Sequence, residues 1–179
     1  MKPTDTQRLD SPLGPMILAA TPEGLSGAWF EGQRHEPSQR LHGPTAWADT
    51  ASHPVLEEAA HQLQQYLAGQ RAGFDLPLDL SGGTPFQQAV WRALLAIGRG
   101  ATTSYGALSR QLGRPLAVRA VGAAVGRNPI SVVVPCHRVV GSDGSLTGYA
   151  GGLDRKAVLL TLENALPSTS PNAFRKGHA

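Results

Sequence analysis

Ile130-Ser131-Val132-Val133-Val134-Pro135-Cys136-His137-Arg138-Val139-Val140 holds the only cysteine of the chain, side by side with a histidine. Residues 130–134 are β-branched apart from Ser131, a composition that predicts a short buried strand. Pro135 has no N–H to extend a ladder, so it marks the end of that strand and fixes the approach to Cys136. Adjacent side chains of a strand point to opposite faces, so Cys136 and His137 need not touch. Two readings of the thiol stand side by side. It is a small buried hydrophobe, as most free cysteines are, or a nucleophile, which requires an electropositive and partly exposed setting.

Upstream, Ser81-Gly82-Gly83 is a candidate boundary, and Thr84-Pro85-Phe86-Gln87 opens a helix: Thr84 caps, Pro85 suits the first turn, and Gln87 completes a capping box. Phe86, Val90, Trp91, Leu94, Leu95 and Ile97 form its apolar face. A short helix from Ser104 to Leu112, closed by Gly113, is followed by a second from Pro115 to Gly126, a helix-turn-helix candidate. The second helix is rich in Ala and Gly, and Arg119 is its only long charged side chain. Gly122 in its interior costs about 1 kcal/mol relative to alanine, so a close approach is expected there, either of another helix or of a ligand. Small side chains suit a narrow minor groove, where shape rather than a base code is read.

Charge is divided sharply along the chain. Up to Gly83 five basic residues stand against ten acidic ones, whereas from Thr84 onward eleven basic residues face only Asp143, Asp154 and Glu163. Arg92, Arg99, Arg110, Arg114, Arg119, Arg127 and Arg138 all fall in the acid-free interval between Asp79 and Asp143, which predicts a basic face and a polyanionic partner, nucleic acid above all.

The first half predicts a small α/β unit. Leu13–Ala20 and Leu25–Phe30 read as strands of a hairpin turned at Thr21-Pro22-Glu23-Gly24, Glu31–Ser52 as a loop, Pro54–Ala68 as a helix ended by Gly69, and Phe74–Leu80 as an alternating strand. No apolar run approaches the roughly 18 residues of a membrane span, and Met1–Asp10 lacks a signal-peptide core, so the cytoplasm is the expected location. A lone cysteine excludes an internal disulfide and a multi-cysteine zinc site; His35, His42, His53 and His61 have no ligand spacing and read as solvated. No metal or cofactor is expected. Pro167–Ala179 reads as a weakly basic, disordered tail.

Linked motifs then carry a specific likeness. Pro135-Cys136-His137-Arg138-Val139-Val140, preceded by Ser104-Tyr105-Gly106, Arg119-Ala120-Val121-Gly122 and Asn128-Pro129, and followed by Gly148-Tyr149-Ala150-Gly151-Gly152-Leu153, Lys156 and Glu163, resembles the DNA alkyltransferases that repair O6-alkylguanine. The likeness is co-linear from about Thr84 to Leu166 and weak before it. It implies irreversible, single-turnover transfer of the alkyl group to Cys136. His137 would take the thiol proton through a water and Glu163 would orient His137. Tyr105 would bond the flipped base and help protonate the leaving guanine.

The resemblance further implies that Arg119 fills the gap left by the flipped nucleotide, with Ala120 and Gly122 against the minor groove. Asn128 would tie the helix-turn-helix to the cysteine strand. The carbonyls of Cys136 and Val139 would accept from the guanine amino group, the main chain near Ala150 would donate to O6, and Tyr149 would flank the alkyl group. Alanine stands at position 150 where many members have serine, a change that a main-chain contact tolerates. Lys156 either orders the loop or is solvated.

The fold expected is α/β (α+β): a small amino-terminal α/β support domain, 1–83, and a mainly helical, winged-helix-like catalytic domain with a helix-turn-helix, 84–166. The partner expected is double-stranded DNA carrying O6-alkylguanine, bound by a monomer through the minor groove. O4-alkylthymine as a second substrate and cooperative binding along DNA stay open. The alternatives are a Cys-His hydrolase, which would need an oxyanion hole and would turn over, and a non-catalytic helix-turn-helix damage sensor.

Overall fold

The computed structural model describes residues 5–37, 48–49 and 53–166. The expected hairpin is there: β2 (Met16–Thr21) and β3 (Gly24–Phe30) pair antiparallel, with a register shift between Ala19 and Ala20. Two further strands join them. β1 (Asp5–Leu9), in a stretch that reads simply as polar, pairs antiparallel with β2 and buries Thr6 and Leu9, which the alternation of a strand sets on opposite faces. β4 (Ala48–Asp49) pairs parallel with β1, within the span expected to be loop throughout, giving the order β3-β2-β1-β4. Helix α1 (Pro54–Leu67) covers the sheet with Leu56, Ala59, Leu63 and Tyr66.

Phe74–Leu80 is not a ladder strand. The segment is extended and makes one bridge, Leu25 to Leu78, through Leu25 N to Pro77 O and Asp79 N to Leu25 O, both 2.8 Å. Pro77 supplies no donor, so a continuous ladder cannot form.

Helix α2 (Pro85–Leu95) starts as its sequence dictates: Gln87 N donates to Thr84 Oγ1 and Thr84 N to Gln87 Oε1. Val90, Trp91 and Leu94 are buried, while Leu95, expected on the same face, is exposed. β5 (Thr103–Ser104) leads into α3 (Tyr105–Gln111), capped by the Ser104 hydroxyl. Helix α4 (Val118–Gly126) begins three residues later than Pro115, because Arg114 to Ala117 form a turn closed by Ala117 N to Arg114 O at 2.9 Å. Leu108 of α3 and Val121, Ala124 and Val125 of α4 enter one core, so the two helices and their turn form the expected helix-turn-helix.

The largest correction concerns 130–134. Only Ile130 bridges to another segment, Ala28 of β3, through Ala28 N to Pro129 O and Ser131 N to Ala28 O. The chain then folds on itself: Val133 N bonds Ser131 O, Val134 N bonds Ile130 O and Cys136 N bonds Val134 O. Val132 takes φ +73°, a conformation that a β-branched residue adopts only under constraint. The β-branched run therefore reports burial, not a strand; all five residues are buried.

Cys136–Arg138 form one 3₁₀ turn, and the strand follows it: β6 (Val139–Val140), parallel to β5. α5 (Leu153–Leu162) closes the fold and stops four residues before Leu166, with Glu163 as its C-cap. The 167–179 tail lies outside the described residues. A single hydrophobic cluster runs from Leu9 through Tyr66 and Trp91 to Leu159, crossing Ser81–Gly83 without a break.

Candidate active site

Cys136 is 4% exposed. Asn128, just past the end of α4, holds it: its Nδ2 donates to Val134 O at 2.8 Å and lies 3.1 Å from Cys136 Sγ, while its Oδ1 accepts from Ile130 N at 3.0 Å. One side chain thus bonds the cysteine turn from just past the end of α4 and also touches the sulfur. Burial pushes the thiol up from its ordinary value, opposed by the Asn128 hydrogen bond and by the charge of Lys156. The resting cysteine is a neutral thiol, so reaction requires a base.

His137 is fully buried, with Nε2 2.6 Å from Glu163 Oε1. Burial lowers the His137 pKa, Glu163 raises it, and Arg138 and Lys156 lower it further. Glu163 is 3% exposed and not the surface acid that a helix end suggests. Burial alone would raise its pKa, but hydrogen bonds from His137, Arg138 and Tyr66 hold it at about 2. A carboxylate only accepts, so Nε2 carries the proton and Nδ1 the lone pair. His137 Nδ1 is buried with no hydrogen-bond partner among the described residues, and it is the basic nitrogen of the site.

Arg138 corrects the reading of the basic face. It is buried, its Nε 2.8 Å from Glu163 Oε2, with Nη1 donating to Ile97 O. Lys156 is likewise fully buried; its Nζ donates to Val139 O at 2.6 Å and Thr147 O at 2.7 Å, so it orders the loop before Gly148. Burial brings the Lys156 pKa down to about 8. Val139 O already accepts this bond and keeps a second lone pair.

A cavity of about 200 Å³ is lined by Tyr105, Gly122, Ala123, Tyr149 and Ala150. The Tyr105 hydroxyl donates to the carbonyls of Thr147 and Gly148, at 3.3 and 3.2 Å. Tyr149 sets its ring edge-on to His137 at 6.4 Å. Burial raises the pKa of both tyrosines, and negative charge on Cys136 raises both further, so the thiol lies within electrostatic reach of the cavity walls. A Cβ on Gly122 would meet Tyr105 at an ordinary 3.7 Å, so helix packing does not require this glycine; it keeps the cavity floor open. By contrast, a Cβ on Gly151 would stand 2.7 Å from Tyr149 and 3.0 Å from Phe30, which fixes glycine in the loop.

Ala120 and Arg119 are exposed on α4. Arg34 and His35, from the acidic first half, also line the cavity, and Arg34 N bonds Ala150 O at 3.1 Å. Neither was legible beforehand, since nothing in a loop-like stretch places it over a site a hundred residues away. Of the histidines read as solvated, His53 is half-buried 3.6 Å from Asp5, and His42 lies outside the described residues. Among the described residues no cluster of His, Cys, Asp and Glu is placed to hold a metal, and no helix is long and apolar enough to cross a membrane.

Residues 7–80 match the family model for the 6-O-methylguanine DNA methyltransferase ribonuclease-like domain, and residues 85–165 that for its DNA binding domain. The chain belongs to the 6-O-methylguanine DNA methyltransferase family. It is 48% identical over 157 residues to the methylated-DNA–protein-cysteine methyltransferase of Mycobacterium tuberculosis, covering 88% of this chain and 90% of that one. With the Mycobacterium leprae protein of the same name it shares 46% over 166 residues, 93% of this chain and 96% of the other. The crystal structure of Mycobacterium tuberculosis O6-methylguanine methyltransferase superposes with a TM-score of 0.78 at 45% identity, over 93% of this chain and 96% of that one. A structure of the Mycobacterium tuberculosis OGT in complex with DNA matches equally, TM-score 0.78 at 44% identity, over 90% and 93% of the two chains. As a methyltransferase of this family, the protein has its matched region starting well before Thr84, where the motif likeness alone is weak.

Proposed function

We propose that this chain repairs O6-alkylguanine in duplex DNA by transferring the alkyl group, once and irreversibly, to Cys136. The observation that carries the reading is the buried Cys136 turn: a thiol held by Asn128, followed by a histidine whose Nε2 is locked on an ionised glutamate and whose Nδ1 is basic and without a hydrogen-bond partner among the described residues. The family and a relative solved in complex with DNA support the substrate.

His137 Nδ1 takes the thiol proton through a water, and Glu163 stabilises the imidazolium that forms. The thiolate attacks the alkyl carbon; the new C–S bond forms as the C–O6 bond breaks, and guanine leaves as an anion. Tyr105, at the cavity rim, supplies its proton and is reprotonated from solvent. A thioether has no acyl carbon for water to attack, so the protein acts once.

The O6 atom sits on the major-groove edge of a stacked base, turned away from a protein in the minor groove, so the nucleotide must be extruded into the cavity at a cost of a few kcal/mol. Arg119, exposed on α4 and free of ion pairs among the described residues, fills the vacancy, with Ala120 and Gly122 against the minor groove. The carbonyls of Cys136 and Val139 accept from the base, the main chain at Ala150 donates to O6, and Tyr149 flanks the alkyl group. Residues 1–83 act as the supporting unit and 84–166 as the DNA-binding and catalytic one, in a monomer. An acceptor that must remain a free thiol calls for a reducing compartment, and the cytoplasm is the one we assign.

Intact-protein mass after incubation with excess duplex carrying O6-methylguanine tests the reading. One methyl group per active molecule, mapping to the Cys136 peptide, with repair stopping at one equivalent, is expected. Cys136→Ala should abolish transfer and retain DNA binding, because phosphate contacts lie on the helices. Repair running far beyond one equivalent, or a methyl group on another residue, overturns the single-turnover mechanism.

A further inference from the structure

Helix α1 belongs to the first half of the chain, yet it ends at the reaction centre. Tyr66, in its last turn, is fully buried, and its hydroxyl donates to Glu163 Oε1, the same oxygen that receives His137 Nε2. Arg138 Nη2 donates to the Tyr66 oxygen at 3.3 Å and to Glu163 Oε1 at 3.2 Å, while its Nε takes Oε2. The carboxylate is therefore held by donors from α1 and, through His137 and Arg138, from the cysteine turn at once.

The Tyr66 ring is held by Phe74, with centroids 4.7 Å apart, and by the Arg99 guanidinium 5.7 Å from the ring centre. Phenylalanine would fill the same space. A hydroxyl buried this deeply costs stability unless bonded, so its placement on Glu163 is specific.

Resting on the alkyl-transfer reading above, we infer that Tyr66 is a positioning residue for the Cys136 reaction, fixing the carboxylate on which His137 depends and making the first half of the chain part of the transfer machinery.

Each donor on Glu163 spreads its negative charge and weakens its hold on the His137 N–H. The groups facing the imidazole are Glu163, Arg138 and Lys156, with Cys136 beside it and the Tyr149 ring against it. Removing the Tyr66 hydroxyl takes one donor from Oε1 and costs Arg138 Nη2 its bond to the Tyr66 oxygen, while the Arg138 bonds to Glu163 remain, so charge concentrates on Oε1. His137 then protonates more readily, and the base is lost at higher pH.

The experiment is the single-turnover rate of Cys136 alkylation by free O6-benzylguanine across pH, in the parent protein and in Tyr66→Phe. A free base keeps DNA affinity out of the measurement. The acid limb should move up by about one pH unit, the size expected for losing a charge-assisted hydrogen bond, and the plateau should fall several-fold. In a Glu163→Gln background Tyr66→Phe should change neither. Should that double variant not fold, the titration of the His137 ring protons by NMR in Tyr66→Phe alone decides the same point.

An unmoved limb, or the same fold-loss in both backgrounds, assigns Tyr66 to packing and overturns the inference while the transfer reading stands. A parent protein that takes no methyl group from O6-methylguanine duplex sinks both.

Discussion

Glu163 stays ionised inside the protein because three donors, Tyr66 from α1 and His137 and Arg138 from the cysteine turn, converge on it. Its folded pKa of about 2 lies below the ordinary 4.5, so the stability it contributes is fully present above about pH 5 and is lost as pH falls toward 2. Acid unfolding of the parent should therefore track this residue, and Glu163→Gln should flatten the stability curve across that window. At neutral pH the same change strands the Arg138 guanidinium and should cost on the order of 3 kcal/mol, read as a lower denaturation midpoint. It should also slow alkylation and shift its pH profile. A parallel profile with unchanged shape would leave Glu163 a structural role only. The identity of Glu163 was legible from a motif; its burial was not, because α5 shows period but not depth, and its partner Tyr66 sits 97 residues away. Arg138 was misread for the same reason, since composition counts charges without saying which are paired.

Helices were legible wherever side chains declare their ends. Thr84 and Gln87 announce α2, Gly113 with φ +68° ends the turn after α3, and Ser104 caps that helix. The 130–134 segment was not, because β-branched residues mark burial as strongly as they mark strands, and nothing local records that Ala28 offers only one bridge or that Val132 must turn back. Helix α4 shows what an element does beyond packing: it buries Val121, Ala124 and Val125, floors the cavity with Gly122 and leaves Arg119 outside. If Arg119 occupies the flipped base's vacancy, Arg119→Ala should slow repair in duplex roughly ten- to a hundredfold, a share of the few kcal/mol that extrusion costs. The reaction with free O6-benzylguanine should be nearly unaffected. Equal losses on the two substrates would place Arg119 in folding or in the site itself.

At the scale of the molecule, the sequence divides by charge whereas the structure joins by core. One apolar cluster, the Ala28–Ile130 bridge and the Tyr66–Glu163 bond hold the acidic half against the basic half, so the basic side chains have to be recounted. Arg138 and Lys156 are buried, Arg99 donates to Leu162 O, and Arg155 donates to Leu13 O and Gly151 O. Arg110, Arg119 and Arg127 are exposed on or beside α3 and α4 without ion pairs among the described residues, and Arg114 is exposed over the Phe86 ring. A protein releases about 0.9 counterion per phosphate it neutralises, so DNA affinity should fall with salt at a log–log slope of about −3 to −4, far shallower than eleven basic residues would give. Arg110→Ala and Arg127→Ala should each flatten that slope by about one and weaken binding to any sequence alike. Titration of labelled duplex over a range of salt concentrations measures both. A slope near zero would remove the basic helix face from DNA binding, and a slope near −10 would mean that residues outside this face carry the contacts.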